Sequence, residues 1–519
     1  MDSKQYVFIS SHPADLSHFL QAVRDYHLVK DAECAVTSTY YDTFDWRLYQ
    51  ANLTLCKESY DYILKSLDTG ETVSTLCLRT KKTPRLSNDF PASRLKDAIT
   101  PVMDIRALLP MAVVKKVKHQ FSVLNADGAK IFAVETEKLS VVRDSKKNSA
   151  VVLAYSSSEH HELLDYFDKH IHSSGFRKVS GYKEIVAELF ALSGKAPGSY
   201  SAKIELQLDP DLPSGKAMKL IFVKLIDIIK QNEEGVIQDL DSEFLHDFRV
   251  SIRKTRSAWS QAQGVFPKDI TDMFKERFRE IAKLTNTTRD TSVFLLNKDR
   301  YIELFPNTFK RDITAFFWYL SGLYKKEHEQ IAAELASEAY TETIRLWQEF
   351  LASEDENAEQ SRNADTPILI LAQKIILKRF KKVIKSIEKI GCDAPYPELH
   401  GLRIQCKKLR YLLEMLASLF PEKKISFIVK HLKRLQDNLG ALNDFVIQQQ
   451  VITRYLDSIP AETDIPVKSV IAVGGLQSLL YVRQNELHKK SYALLQEFNS
   501  AKIRDMFYSM CSDNHADGR

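Results

Sequence analysis

Two short segments of this 519-residue chain carry one cationic pattern. Residues 245–256 read LHDFRVSIRKTR and residues 399–410 read LHGLRIQCKKLR, related by a constant offset of 154. The offset pairs His246 with His400, Arg249 with Arg403, Arg253 with Lys407, Lys254 with Lys408, and Arg256 with Arg410. It continues downstream, pairing Arg279 with Lys433, Arg289-Asp290 with Asn443-Asp444, and Pro267 with Pro421. One matched His and four matched cations have a chance probability of about 10⁻⁵ at any single offset, so the pattern reads as an internal duplication. The chemistry such residues offer is anion binding. Arg presents a planar fork that takes two phosphate oxygens, and Lys adds a mobile point charge. His can donate to a phosphate oxygen or orient a neighbouring Arg. No cluster of Cys, His and carboxylates accompanies the two histidines, so no metal role is expected of them. Asp290 and Asp444 are expected to brace basic side chains through salt bridges.

A helix must hold these residues in line. With His246 at 0° and about 100° per residue, Arg249, Arg253 and Arg256 fall near 300°, 340° and 280°, and Lys254 lies off to one side near 80°. Leu245, Phe248, Ile252 and Trp259 fall between about 200° and 260°, which gives an apolar face for a core beside a cationic stripe. The second copy repeats this with Leu402, Cys406 and Leu413. From His246 to Arg256 the stripe rises about 15 Å, enough for several successive phosphates. Like charges at this spacing repel by a few tenths of a kcal/mol per pair, and a bound polyanion would relieve them. Few carboxylates lie within the two helices to do so, chiefly Asp247 and the distant Glu414.

The rest of the chain supports this frame. Net charge is only +5, yet residues 367–457 hold 17 Lys/Arg against 8 Asp/Glu, a local +9 against −4 elsewhere. A local surplus points to an anionic partner. Apolar content of 44% and charged content of 27% fit globular domains and exclude wholesale disorder. Six scattered Cys without a C-x-x-C pair fit a reducing compartment and argue against disulfide or zinc frameworks. No signal-peptide layout and no bilayer-length apolar run is evident, so the expected location is cytoplasmic, with no membrane partner.

Texture changes along the chain. Alternating runs at 5–10, 74–80, 130–135 and 150–155 predict strands, broken by turns at 86–89 and 125–128 and by helices at 13–26 and 159–172. This predicts an α+β domain over 1–192, followed by a linker over 193–211. Beyond it, apolar residues recur at three- and four-residue spacing, predicting an all-α domain over 212–510. Its half-repeats are 212–352 and 366–510, joined by an acidic solvated hinge at 353–365. The duplication predicts two bundles related by a pseudo-two-fold.

The doubled motif resembles the CHAD family, the conserved-histidine α-helical domains. The resemblance rests on residues 245–256, 288–290 (TRD), 399–410 and 435–444 (LQDNLGALND) and covers about 212–510. It implies two helical bundles around a basic groove or pore that binds inorganic polyphosphate. The ligands it implies are His246, Arg249, Arg253, Lys254, Arg256, His400, Arg403, Lys407, Lys408 and Arg410, with Arg279, Arg289 and Lys433 as weaker candidates. The second copy departs at Asn443, where the first has Arg289, so unequal halves are expected.

Residues 1–192 resemble a divergent CYTH, or triphosphate-tunnel, domain through YYDT at 40–43, WRL at 46–48 and LCLRTK at 76–81. That implies an antiparallel, tunnel- or barrel-like sheet. The metal-binding acids of that family's E-x-E-x-K strand are missing: residues 4–9 read KQYVFI, and 151–155 read VVLAY. Glu135 and Glu137 remain as one acidic position, and Arg79, Lys81, Lys115, Lys116 and Lys118 as cations. The expectation is therefore a non-enzymatic polyphosphate-binding protein without cofactor, directed to polyphosphate granules, with a catalytically degenerate N-terminal domain. The alternatives are a metal-dependent triphosphatase or polyphosphatase in that domain, nucleic-acid binding, and a scaffold for a protein partner. Nucleic-acid readers combine basic grooves with exposed aromatic platforms, and only Tyr411 follows the cationic stripe here.

Overall fold

The computed structural model describes residues 4–12, 14–23, 27–80, 82–124, 128–143, 146–157, 161–353, 361–459 and 466–512. The chain forms two compact units, Met1–Ser201 and Ala202–Arg519.

The first unit is built on nine strands: β1 (Lys4–Ser10), β2 (His27–Thr43), β3 (Leu53–Glu58), β4 (Asp61–Ser66), β5 (Thr72–Cys77), β6 (Leu108–Leu124), β7 (Lys130–Arg143), β8 (Lys146–Ser157) and β9 (Arg177–Lys178). They form one antiparallel sheet in the order β5-β4-β3-β2-β6-β7-β8-β1-β9. Helices α1 (Ala14–Ala22), α2 (Arg47–Gln50), α3 (Arg94–Met103), α4 (His161–Ser173) and α5 (Tyr182–Leu192) complete it. Alternation assigns the two faces. In β6, Ala112, Val114 and Lys116 are buried while Val113 and Lys115 are exposed. The first face packs on α5, where Tyr40, Cys56, Val114, Leu139 and Val152 meet Val186, Leu189 and Phe190. The second face is covered by α1 and α4 at one end and by α3 at the other. The arrangement is consistent with a tunnel-type sheet. The turn expected at 125–128 falls largely outside the described residues, as does Lys81.

The second unit is helical, and no helix among the described residues is long and apolar enough to cross a membrane. Its first part holds α6 (Ser214–Ile237), α7 (Ser242–Gln261), α8 (Lys268–Leu296), α9 (Lys298–Glu303), α10 (Asn307–Leu335) and α11 (Glu338–Ala352). Its second part holds α12 (Ile368–Lys389), α13 (Tyr396–Met415), α14 (Glu422–Asp457), α15 (Val467–Phe498) and α16 (Ala501–Ser512). α12, α13 and α14 begin 154 residues after α6, α7 and α8 respectively. Pro213, Pro267, Pro367, Pro395 and Pro421 cap helices in these positions, because proline disfavours helix upstream of itself and leaves no amide unpaired. α7 instead starts at Asp241, whose carboxylate accepts from the amides of Glu243 (2.9 Å) and Phe244 (3.2 Å).

Gly235 lets α6 approach α7: a Cβ there would lie 2.1 Å from Phe244 Cδ1. The apolar faces are buried as the spacing predicts, and Trp259 stacks between Phe222 and Phe274 at centroid distances of 4.5 and 5.2 Å.

The described ends of the acidic connection are hydrogen-bonded to α6, and its residues 354–360 lie outside the described residues. Ser353 O accepts from Lys219 Nζ (2.6 Å), and Ala364 O from the Gly215 amide (2.9 Å). Ser214 N donates to Thr366 O and Ile368 N to Leu212 O, each at 2.9 Å, with Pro213 and Pro367 bridged between them. These two bonds exchange under the same 154-residue offset.

Candidate functional site

The cationic helices face one cavity of about 870 Å³ within the helical unit. Ten of the thirteen candidate residues line it: His246, Arg249, Arg253, Lys254 and Arg289 from the first copy, and His400, Arg403, Lys407, Arg410 and Lys433 from the second. α7 and α13 are tied side by side, with Gln261 Nε2 donating to Lys408 O (3.3 Å).

Arg256, Lys408 and Arg279 do not line the cavity. Arg279 is an exposed side chain paired with Glu276 (3.1 Å) and Glu280 (3.4 Å) on its own helix, whereas its counterpart Lys433 reaches the cavity. The other two departures are complementary. Lys254 lines the cavity but its counterpart Lys408 does not, while Arg410 lines it and its counterpart Arg256 does not. The helical wheel ranks Arg256 above Lys254, so this reverses expectation. The reason is Glu414, which has Ser260 as its offset partner and so no equivalent in the first copy. Its carboxylate holds Lys254 Nζ at 3.0 Å and Arg410 Nε at 3.3 Å, drawing one cation from each helix to the same point.

The cavity is less uniformly basic than the helices alone imply. Among the described residues nine Lys or Arg line it, but so do five carboxylates: Glu205, Asp247, Asp290, Glu414 and Asp444. Asp290 and Asp444 close no ion pair among the described residues, contrary to expectation. They act at longer range, Asp290 on Arg249, Arg253 and Arg403, and Asp444 on Arg403 and Lys407. Burial raises the Asp290 carboxyl above its ordinary range against those cations.

The buried cations differ in how they are satisfied. Arg249 donates to Thr285 Oγ1 (3.1 Å) and Asn286 Oδ1 (2.6 Å) on α8. Arg289 donates to Ser242 O (3.3 Å). Burial lowers both below the usual guanidinium range. Arg403 Nε is buried without a hydrogen-bond partner among the described residues. Lys407 is half-buried and forms no ion pair among the described residues; burial, then Arg403, Arg253 and Arg410, push its ammonium down to about 6. An anion placed here would complete Arg403 and recharge Lys407.

The departure at Asn443 has a structural role. Asn443 Oδ1 accepts from His400 Nδ1 (2.9 Å) and from Tyr396 Oη (2.9 Å), fixing the ring so that Nε2 is its remaining polar atom. The first copy spends the equivalent position on a cation, Arg289. Lys203 and Glu205 also line the cavity. They come from an irregular segment preceding α6 with no period to flag them. Among the described residues, Tyr411 is the one Phe, Tyr or Trp in the lining.

In the first unit, the expected cations are mostly engaged. Lys116 is buried with its Nζ 3.0 Å from Glu58 Oε1, Lys118 lies 3.7 Å from Glu137, and Arg79 sits over the Tyr60 ring. Glu135 and Glu137 border a separate cavity of about 700 Å³. Among the described residues no three His, Cys, Asp or Glu side chains stand together to hold a metal ion. The YYDT stretch is a turn device: Asp42 accepts from the amides of Thr43 (2.7 Å), Leu48 and Tyr49 (both 2.9 Å).

Comparison with known proteins gives one family match: residues 221–453 match the CHAD domain. No curated protein compared with the chain matches it. Among solved structures, the CHAD domain from the plant Ricinus communis is similar, with 21% identity over 57% of this chain and 96% of its own, at a TM-score of 0.48. PptA from Streptomyces chartreusis aligns at 12% identity over 55% of this chain and 98% of its own, at a TM-score of 0.43.

Proposed function

With a CHAD domain at residues 221–453 as the premise, we propose that this chain binds inorganic polyphosphate in the cavity lined by α7 and α13 and serves at polyphosphate granules. The observation that carries the reading is the convergence of cations from both copies on one cavity, with Arg403 Nε buried and unpartnered among the described residues. An extended polyanion supplies many phosphate oxygens, and no single carboxylate of the protein can satisfy all these groups. The scarcity of aromatic lining favours polyphosphate over single-stranded nucleic acid, which gains about 1–3 kcal/mol per stacked base.

Binding, not hydrolysis, is the proposed activity. In the first unit, β1 and the 151–155 stretch of β8 carry no acid, and Lys116 is committed to Glu58.

The test is a titration with polyphosphates at two salt concentrations, on the full chain and on Arg253→Glu with Lys407→Glu. Affinity should fall steeply with salt and vanish in the double variant while helicity persists. Retained affinity in that variant refutes the assignment. Phosphate release from tripolyphosphate with Mg²⁺ or Mn²⁺, abolished by Glu135→Gln with Glu137→Gln, would instead establish the hydrolase reading.

A further inference from the structure

A second cationic feature lies outside the cavity. α12 carries six exposed lysines, Lys374, Lys378, Lys381, Lys382, Lys385 and Lys389. On the helix they fall within an arc of about 100° and span about 22 Å. Four pairs stand at i, i+4, all like-charged. The one carboxylate of α12, Glu388, is paired with Arg504, and none of the six lysines forms an ion pair among the described residues.

The fold does not require this stripe. The positions 154 residues earlier on α6 are Leu220, Lys224, Asp227, Ile228, Gln231 and Gly235, so the duplicated scaffold is built with only one lysine among them. The apolar face of α12 is consumed in the core by residues such as Leu371, Ile376, Phe380 and Val383. Ile370, one turn before Lys374, is the one large apolar side chain of α12 left exposed, too small an area by itself to enter a lipid surface.

The stripe connects to the cavity through residues that the cavity leaves out. Arg379 on α12 donates to Gln261 on α7 (2.8 Å) and Gln405 on α13 (2.8 Å). Lys408 lies among Arg379, Lys382 and Arg256, and Arg256 is within electrostatic reach of Arg253, which lines the cavity. A run of cations thus leads from Arg253 through Arg256 and Lys408 onto α12.

We propose that a polyphosphate too long for the cavity continues along this run and lies on the α12 lysines, making affinity depend on chain length. The inference rests on the polyphosphate reading and deepens it. The test uses the full chain and the variant Lys378→Gln/Lys381→Gln/Lys385→Gln, whose sites are exposed, with circular dichroism as the folding control. Each is titrated with tripolyphosphate, long-chain polyphosphate and single-stranded RNA. The variant should bind tripolyphosphate as the parent does and lose roughly tenfold in affinity for long chains, and its salt slope should fall by about two. Unchanged long-chain affinity overturns the track while leaving the cavity assignment intact. Equal losses for tripolyphosphate and long chains overturn it as a separate track, and loss of RNA binding alone reassigns the surface. If the parent binds neither phosphate probe, the polyphosphate reading itself fails.

Discussion

Lys407 offers the sharpest test of the cavity, because its charge should depend on whether an anion is present. Burial and three surrounding arginines push its ammonium down to about 6, so in the free protein at pH 7.5 about 3% of it is protonated. A polyphosphate laid beside it restores an opposite charge and favours the ammonium form. Binding at pH 7.5 should therefore take up about one proton at this site. Its affinity should fall about tenfold per pH unit above pH 6, until the pKa of the bound form is reached. Calorimetric titrations in buffers of different ionisation enthalpy measure that uptake directly. His246 and His400 border the same cavity, so the control is Lys407→Met, which keeps both histidines.

The same substitution has an opposite effect on stability. A lysine whose folded pKa is depressed leaves the unfolded chain holding more protons between about 6 and 10.4, so its penalty is full below 6 and is relieved as pH rises. Lys407→Met should stabilise the helical unit at pH 7 by about 1–3 kcal/mol, after allowing for solvent at this half-buried site, while weakening binding. Proton uptake that is absent in the parent, or unchanged in Lys407→Met, would refute the reasoning.

Two further outcomes follow from contacts described above. Glu414→Gln removes the carboxylate shared by Lys254 and Arg410; polyphosphate should bind several-fold more tightly at low salt. Denaturant titration should show a loss of about 1–3 kcal/mol, since Lys254 is nearly buried but Glu414 is partly solvated. Gly235→Ala places a methyl group against the Phe244 ring, and a cost of about 1–3 kcal/mol in the same assay is expected from overpacking.

The duplicated helices were legible because charge, histidine and apolar spacing repeat together, and the buried faces of Phe248, Ile252, Leu402 and Cys406 follow that period. Which of Lys254 and Arg256 reaches the cavity was not legible, because Glu414 draws Lys254 in from the opposite helix. No one-dimensional wheel contains that contact. Strands β1, β7 and β8 were visible as alternating runs, though β7 and β8 extend further than the alternation shows. The long strands β2 and β6 were hidden for separate reasons. The register of β2 shifts between Lys30 and Ala32, breaking the two-residue period. β6 places Lys116 inward against Glu58, so a core position reads as a surface one.

The paired backbone hydrogen bonds around Pro213 and Pro367 bear on what the chain is as an object. Each copy's opening helix is fastened to the strand of backbone leading into the other, and Lys219 and Gly215 grip the connection on both flanks. Both parts also share one interior, where Phe294 and Phe316 pack with Ile452 and Leu476. The two parts of the helical unit thus close on each other as one body.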